Sequence, residues 1–155
     1  MELNLPLPAP GEPTAFDTVQ DAIFNYSMIH VKSVLCDIQE SGDLSKKMAA
    51  WYRFVRDEIR YDPFAIELES EALSASRTVE AQHGHCLHKS VLFVTGLRAM
   101  GVPARLGLAR VRNHLATERL ERLLRTDVLI PHGYAAFLER SALGRGDARV
   151  QQQPL

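Results

Sequence analysis

Residues 82–89 read Gln82-His83-Gly84-His85-Cys86-Leu87-His88-Lys89, with a cysteine directly before a long apolar segment. The apolar positions after it cover most of a helix circumference as far as Met100, and Gly101 and Pro103 end the pattern. Cys86 therefore opens a predicted central helix, where free backbone N–H groups and the helix dipole favour a negative charge. Since the thiolate is the nucleophilic form of cysteine, this position favours nucleophilic chemistry.

Further helices are predicted on the N-terminal side of the cysteine. Apolar spacing predicts a first helix from residue 18 to the break at residues 41–42, and a second over residues 44–59. The second helix carries an apolar stripe made of Met48, Trp51, Tyr52, Val55 and Ile59. A short helix capped by Ser74 or Ser76 is predicted to end near residue 83. Cys36 lies within the first predicted helix, where we expect a buried or half-buried apolar role.

The pattern changes to strands on the C-terminal side of the cysteine helix. Alternating residues predict a strand over 104–111, and one or two more over 127–138, around Pro131-His132. An amphipathic helix is predicted between them, over residues 114–125. Helices segregated from a mostly antiparallel sheet make an α+β domain, which is the predicted fold class.

Composition restricts the partners of the chain. The 155 residues carry a formal net charge of -1, which gives no general attraction to nucleic acid or to an anionic membrane. Two cysteines make no disulfide framework, and no run approaches the roughly 18 apolar residues of a membrane span. The N-terminus lacks the basic start and apolar stretch of a signal peptide. We therefore expect a cytoplasmic protein whose partner is a small molecule or a polypeptide.

A nucleophilic cysteine needs a base within hydrogen-bonding reach and a third polar group that fixes the tautomer of the base. His132 is the candidate base, although only the fold can bring it to Cys86. A purely structural role for both residues stays open. A zinc site made of His83, His85, Cys86 and His88 is the competing interpretation. It is disfavoured because His85 and Cys86 are adjacent and no second ligand cluster follows, so we predict no metal or other cofactor and expect His83 and His88 to be solvated.

Several segments resemble one family in the right order. They are Trp51-Tyr52-Arg53-Phe54-Val55-Arg56-Asp57-Glu58-Ile59-Arg60-Tyr61-Asp62, Gly84-His85-Cys86, Leu97-Arg98-Ala99-Met100-Gly101-Val102-Pro103-Ala104-Arg105, Arg112-Asn113-His114-Leu115 and Pro131-His132-Gly133-Tyr134. Over roughly residues 18–140 the chain resembles bacterial transglutaminase-like proteins. The family includes transglutaminases, cysteine proteases, deamidases and scaffolds that have lost activity.

The resemblance implies a papain-like α+β core, in which the nucleophile helix packs on an antiparallel sheet. It implies Cys86 as nucleophile and His132 as base, for cysteine-dependent acyl transfer or amide hydrolysis through a thioester. The backbone N–H of Cys86 is the natural donor to the oxyanion, and Gln82 is the candidate for a second donor. The alternative is a non-catalytic remnant, or a module of the same fold that binds a peptide or a protein.

The chain departs from the family at its C-terminal end. The family continues into a Gly-Arg-Trp-Val strand with a Thr-Pro or Asp-Pro step, the usual place of the third triad member. Residues 141–155 show no such pattern, and the acid among them, Asp147, is expected to be solvated. Codons exist for residues 142–154 that, read one base later, spell Arg-Trp-Val-Glu-Ala-Thr-Pro-Ala-Phe-Asn-Ser-Ser-Pro. We therefore predict a truncated or frameshifted end, which the coding DNA tests directly.

Three regions follow from these patterns. Prolines at positions 6, 8, 10 and 13 exclude a continuous helix and predict an extended leader over residues 1–15. Residues 16–140 are the transglutaminase-like domain implied by the resemblance. Residues 141–155 are predicted to be an atypical, disordered tail.

Overall fold

The computed structural model describes residues 14–39, 42–65, 67, 69–112, 128–139 and 149–154. The helices are α1 (Ile29–Gln39), α2 (Leu44–Asp57), α3 (Ala75–Ala81) and α4 (Cys86–Ala99). The strands are β1 (Arg60–Tyr61), β2 (His83–Gly84), β3 (Ala104–Arg112), β4 (Val128–Glu139) and β5 (Arg149–Pro154). Strands β1 and β2 pair in parallel, and the others form an antiparallel sheet in the order β3-β4-β5. The predicted α+β class is confirmed.

Helix α4 is the centre of the core, as its apolar circumference predicts. Every residue from Cys86 to Arg98 is buried. On one side it packs against α2, where the Trp51 ring lies directly on Gly96 and the Trp51 Nε1–H donates to the Phe93 carbonyl at 3.1 Å. On the other side Phe93 meets Phe137 of β4 edge to face at 5.8 Å. The sheet and α2 therefore hold α4 between them.

A buried lysine holds the first turn of α4 beside the end of α2. The Lys89 ammonium donates to the carbonyl oxygens of Arg56 at 3.1 Å and Ile59 at 2.8 Å. The Arg56 carbonyl belongs to the last turn of α2, which leaves it without a helical partner, and Ile59 follows the end of that helix. Burial lowers the pKa of Lys89. Its contacts keep the start of α4 next to β1, which follows α2 directly.

The first helix begins later than its apolar spacing predicts, at Ile29 rather than near residue 18. Short-range side-chain bonds hold the preceding residues in turns. The Asp21 carboxylate accepts the backbone N–H groups of Ile23 and Phe24, both at 2.8 Å, and the Gln20 amide oxygen accepts that of Ser27 at 3.1 Å. Such bonds compete with the helical ladder, which is why the prediction of a helix start near residue 18 was wrong.

The sheet contains one long strand around Pro131 and one strand that the sequence pattern did not predict. Strand β4 runs unbroken from Val128 to Glu139. Strand β5 pairs with it by backbone hydrogen bonds, with Arg149 opposite Glu139 and Pro154 opposite Tyr134. The helix predicted over residues 114–125 and the leader before residue 14 lie outside the described residues. None of the helices that the structure describes is long and apolar enough to cross a membrane.

Candidate functional site

Cys86 lies at the N-terminal end of α4, as predicted. His85 is the N-cap residue with an extended backbone, and the Cys86 side chain is buried. The residues before it are held by β1, because the Arg60 N–H donates to the Gln82 carbonyl at 2.9 Å and the Asp62 N–H to the Gly84 carbonyl at 3.0 Å. The short parallel pair of strands therefore fixes the entry of the chain into α4.

The start of α4 touches β4 at Gly133. The Gly133 N–H donates to the Cys86 Sγ at 3.5 Å. A Cβ on residue 133 would lie only 2.8 Å from the Leu87 Cδ2 and 3.2 Å from the Cys86 carbonyl oxygen, so this approach requires glycine. The contact brings His132, the neighbour of Gly133 in β4, to the same junction as the thiol.

His132 is buried at this junction, with 5% of its surface exposed. Within the described ranges, neither of its ring nitrogens has a hydrogen-bond partner, so the imidazole is not bonded to the Cys86 Sγ. Catalytic hydrogen bonds are often absent or long without substrate and tighten when it binds. The pairing of Cys86 with His132 stays a prediction.

The electrostatics of the junction favour neutral side chains. Burial raises the pKa of Cys86, although the backbone N–H groups of Gly133 and Leu87 act in the opposite direction. Burial also lowers the pKa of His132, and the neighbouring His85 lowers it further. A protonated thiol beside an unprotonated imidazole suits general-base activation rather than a preformed ion pair.

Two further histidines form a buried pair next to the thiol. The Nδ1 atoms of His85 and His88 lie 2.8 Å apart, and both residues are less than one-tenth exposed. One ring must donate and the other accept, so the pair is stable only when at least one imidazole is neutral. The expectation that His88 is solvated was wrong. Two sequence features could have indicated this pairing. His88 follows His85 by three residues, which sets both on one helix face, and Gly84 lies beside them.

The histidine pair makes the stability of the protein depend on pH. Burial, together with the neighbouring His85, lowers the pKa of His88 from 6.5 to about 4. The unfolded chain therefore takes up protons between pH 6.5 and about 4 that the folded chain does not bind, so the free energy of unfolding should fall as the pH falls through this window. We expect His88 alone to contribute a loss on the order of 3 kcal/mol.

Urea unfolding at several pH values between 7 and 4 measures this loss. His88→Asn should show a shallower dependence on pH than the unsubstituted protein, because one buried titrating group is gone. His30→Asn makes the same exchange at an exposed position of α1 and corrects for its general effect. Equal slopes for His88→Asn and the unsubstituted protein would contradict the prediction.

Gln82, the candidate for a second oxyanion donor, ends α3 in a left-handed conformation with φ of 56°. Its backbone N–H donates to the Thr78 carbonyl at 3.0 Å, and its residue surface is exposed. In the part of the chain that the structure describes, no hydrogen bond joins Gln82 to Cys86 or His132. Its role as an oxyanion donor stays a prediction.

The other ligand and acid candidates are spread over the described structure. The His83 Nδ1 lies 3.7 Å from the Asp62 carboxylate, away from the pair formed by His85 and His88. The described ranges contain no group of three or more His, Cys, Asp or Glu residues placed to hold a metal ion. Residues 149–154 of β5 include no acid, and Asp147 lies outside the described residues. Strand β5 therefore offers no carboxylate for the place of a third triad member.

The second cysteine is placed differently from the prediction. Cys36 is exposed on α1 rather than buried or half-buried. The hydrophobic stripe of that helix is formed by Val31 and Leu35, which are buried, while Cys36 lies beside the stripe. An exposed thiol reacts with added electrophiles, so experiments on Cys86 require its removal.

Comparison with known proteins gives one match. A family model described as the Transglutaminase-like superfamily matches residues 33–139, which is more than half of the 155 residues. The matched region contains α2, the junction of α4 with β4, and both Cys86 and His132. Neither the curated proteins nor the solved structures contain a match to this chain.

Proposed function

Because the chain belongs to the transglutaminase-like superfamily, we propose that it catalyses cysteine-dependent acyl transfer or amide hydrolysis, with Cys86 as nucleophile and His132 as base. The observation that carries the proposal is the contact between the Gly133 N–H and the Cys86 Sγ at 3.5 Å. It joins the element that begins with the thiol to the strand that carries the imidazole, whose two nitrogens have no hydrogen-bond partner among the described residues.

The proposed reaction starts from a neutral Cys86 thiol and a neutral His132 imidazole. A ring nitrogen of His132 takes the thiol proton while the Cys86 sulfur adds to the carbonyl carbon of an amide, and the carbonyl electron pair moves to its oxygen. The backbone N–H of Cys86 occupies the first position of α4, where a helix leaves its N–H groups without internal partners, and it donates to that oxyanion. Collapse of this tetrahedral intermediate re-forms the carbonyl and breaks the carbon–nitrogen bond. The departing amine takes the proton from His132, and the acyl group stays on the Cys86 sulfur as a thioester. Water or another amine then releases the acyl group from sulfur.

Trapping the thioester tests the proposal. In a Cys36→Ser background Cys86 is the only thiol, because the chain has two cysteines. We expect p-nitrophenyl acetate to add one acetyl group, seen by intact mass and located on Cys86 by peptide mapping, with release of one equivalent of p-nitrophenolate. The same treatment of Cys36→Ser/Cys86→Ala should give no rapid release of p-nitrophenolate. An unacylated Cys86, or equal p-nitrophenolate release from both proteins, would overturn the proposal.

A non-catalytic module of the same fold is the second candidate. Two observations favour it: the raised pKa of Cys86, and the lack of a hydrogen bond from His132 to the thiol within the described residues. Such a module would bind a polypeptide without forming a thioester. Peptide binding by Cys86→Ala at unchanged affinity, with no acylation of the unsubstituted protein, would support this candidate.

A further inference from the structure

The register of the two-stranded sheet directs one aromatic side chain to the start of α4. Tyr61 of β1 lies opposite Gly84 of β2, and side chains of paired residues leave a sheet on the same face. A Cβ on Gly84 would lie 2.5 Å from the His88 Cβ, so that face points to the first turn of α4. The Tyr61 ring therefore leaves β1 toward the turn that begins with Cys86.

The Tyr61 hydroxyl and the Cys86 thiol interact through charge but not through a hydrogen bond. Burial raises the pKa of Tyr61, and the charge of the Cys86 thiolate raises it further. No hydrogen bond joins the hydroxyl to the Cys86 Sγ, and within the described ranges the hydroxyl has no other partner. A donor to an oxyanion must lie about 3 Å from the oxygen that develops, which is farther out than the sulfur that attacks. A hydroxyl that makes no hydrogen bond to the sulfur is compatible with this requirement.

Position in the fold separates Tyr61 from the other candidate donor, Gln82. Tyr61 is 46% exposed, so part of the residue packs on the protein while the rest is accessible from solvent. Gln82 is also exposed, but it lies at the end of α3, where its backbone N–H and carbonyl are engaged by Thr78 and Arg60. The strand register directs the side chain of Tyr61 over the first turn of α4, whereas Gln82 is not among the residues paired in β1 and β2.

We propose that the Tyr61 hydroxyl is the second donor to the oxyanion formed when Cys86 attacks an acyl group. This inference rests on the proposed function. As the sulfur–carbon bond forms and the carbonyl electron pair moves to oxygen, the Tyr61 O–H and the Cys86 N–H donate to that oxygen. Tyr61 keeps its proton throughout, and collapse of the intermediate returns the electron pair to the carbonyl and expels the leaving group.

The test compares two reactions of the same thiol in the Cys36→Ser background. Acylation by p-nitrophenyl acetate passes through an oxyanion, whereas alkylation by iodoacetamide does not. We expect Tyr61→Phe to slow acylation by about 10- to 100-fold, less than the loss of a fully enclosed donor, and to change alkylation by less than about twofold. Tyr52→Phe removes a hydroxyl from the half-buried ring that packs on Phe93 and is the matched control.

Each other outcome has a defined meaning. Acylation of Tyr61→Phe within about twofold of the parent rate overturns the inference but leaves the proposed function intact. Equal slowing of acylation and alkylation also overturns it, because Tyr61 then acts on the thiol rather than on the oxyanion. A selective loss of acylation in Gln82→Ala, with none in Tyr61→Phe, assigns the donor to Gln82. A parent protein that is not acylated at all defeats the proposed function, and the inference with it.

Discussion

Replacement of His132 by alanine should slow the acylation of Cys86 by about 100- to 10,000-fold, the usual contribution of a general base. The effect is large because burial raises the pKa of Cys86, so little thiolate exists at neutral pH without a base. Because the pKa of His132 is lowered, its imidazole stays unprotonated to a pH below the ordinary histidine value. A base that accepts the thiol proton therefore remains available across the neutral range.

The dependence of acylation on pH distinguishes a base from a packing residue. With His132 present, the acylation rate should be nearly level above neutral pH and fall only where His132 takes up a proton. In His132→Ala the rate should follow the thiolate alone and rise about tenfold per pH unit up to the raised pKa of Cys86. His30→Ala, at an exposed histidine of α1, is the matched control. Parallel pH profiles for His132→Ala and the parent protein would show that His132 is not the base.

Replacement of Gly96 by alanine should destabilise the protein by about 3 kcal/mol, at the upper end of the usual cost of overpacking a core. An added Cβ would lie 2.1 Å from the Trp51 Cε2 and Nε1 atoms. Trp51 is fully buried and Gly96 lies in a wholly buried part of α4, so neither side has space to yield. Moving the ring also breaks the bond from the Trp51 Nε1–H to the Phe93 carbonyl.

Urea and thermal unfolding measure this loss, which corresponds to a fall in Tm of roughly 6 to 12 °C for a domain of this size. Gly101→Ala is the matched control, because a Cβ there meets nothing within 4 Å and the cost comes only from its φ of +76°. That backbone strain costs about 1 kcal/mol. If Gly96→Ala loses no more stability than Gly101→Ala, the contact with Trp51 does not restrict residue 96.

Local patterns predicted the helices that pack through a single apolar face. The α2 stripe contains Met48, Trp51 and Val55, which are all buried, and Asp43 caps the helix by accepting the Lys46 N–H. The same patterns failed before Ile29, where apolar residues at helical spacing are held in turns by polar side chains. Periodicity reports which residues face the core, but it does not report whether a nearby carboxylate or amide takes the backbone N–H groups first.

The surroundings of the histidines and of Cys36 were also predicted wrongly or incompletely from the sequence. The local sequence of a histidine beside a cysteine looks the same whether its side chain is solvated, bound to a metal ion or paired with another imidazole. His85 and His88 form a pair because Gly84 leaves room for the His88 side chain and the neighbouring elements bury both rings. Strand β5 was missed for a related reason, since its hydrogen bonds to β4 use the backbone and need no apolar alternation.

The sequence by itself determined that Cys86 opens an apolar helix, because helix starts, apolar spacing and the glycine stop near residue 101 are all local signals. It also determined the α+β order of the elements. Only the tertiary structure decided which groups surround the thiol. Gly133, 47 residues away along the chain, reaches the sulfur through the packing of β4 on α4. The register of β1 with β2 sets Tyr61 opposite Gly84, two residues before the cysteine. Such neighbours depend on long-range pairing, which no local pattern encodes.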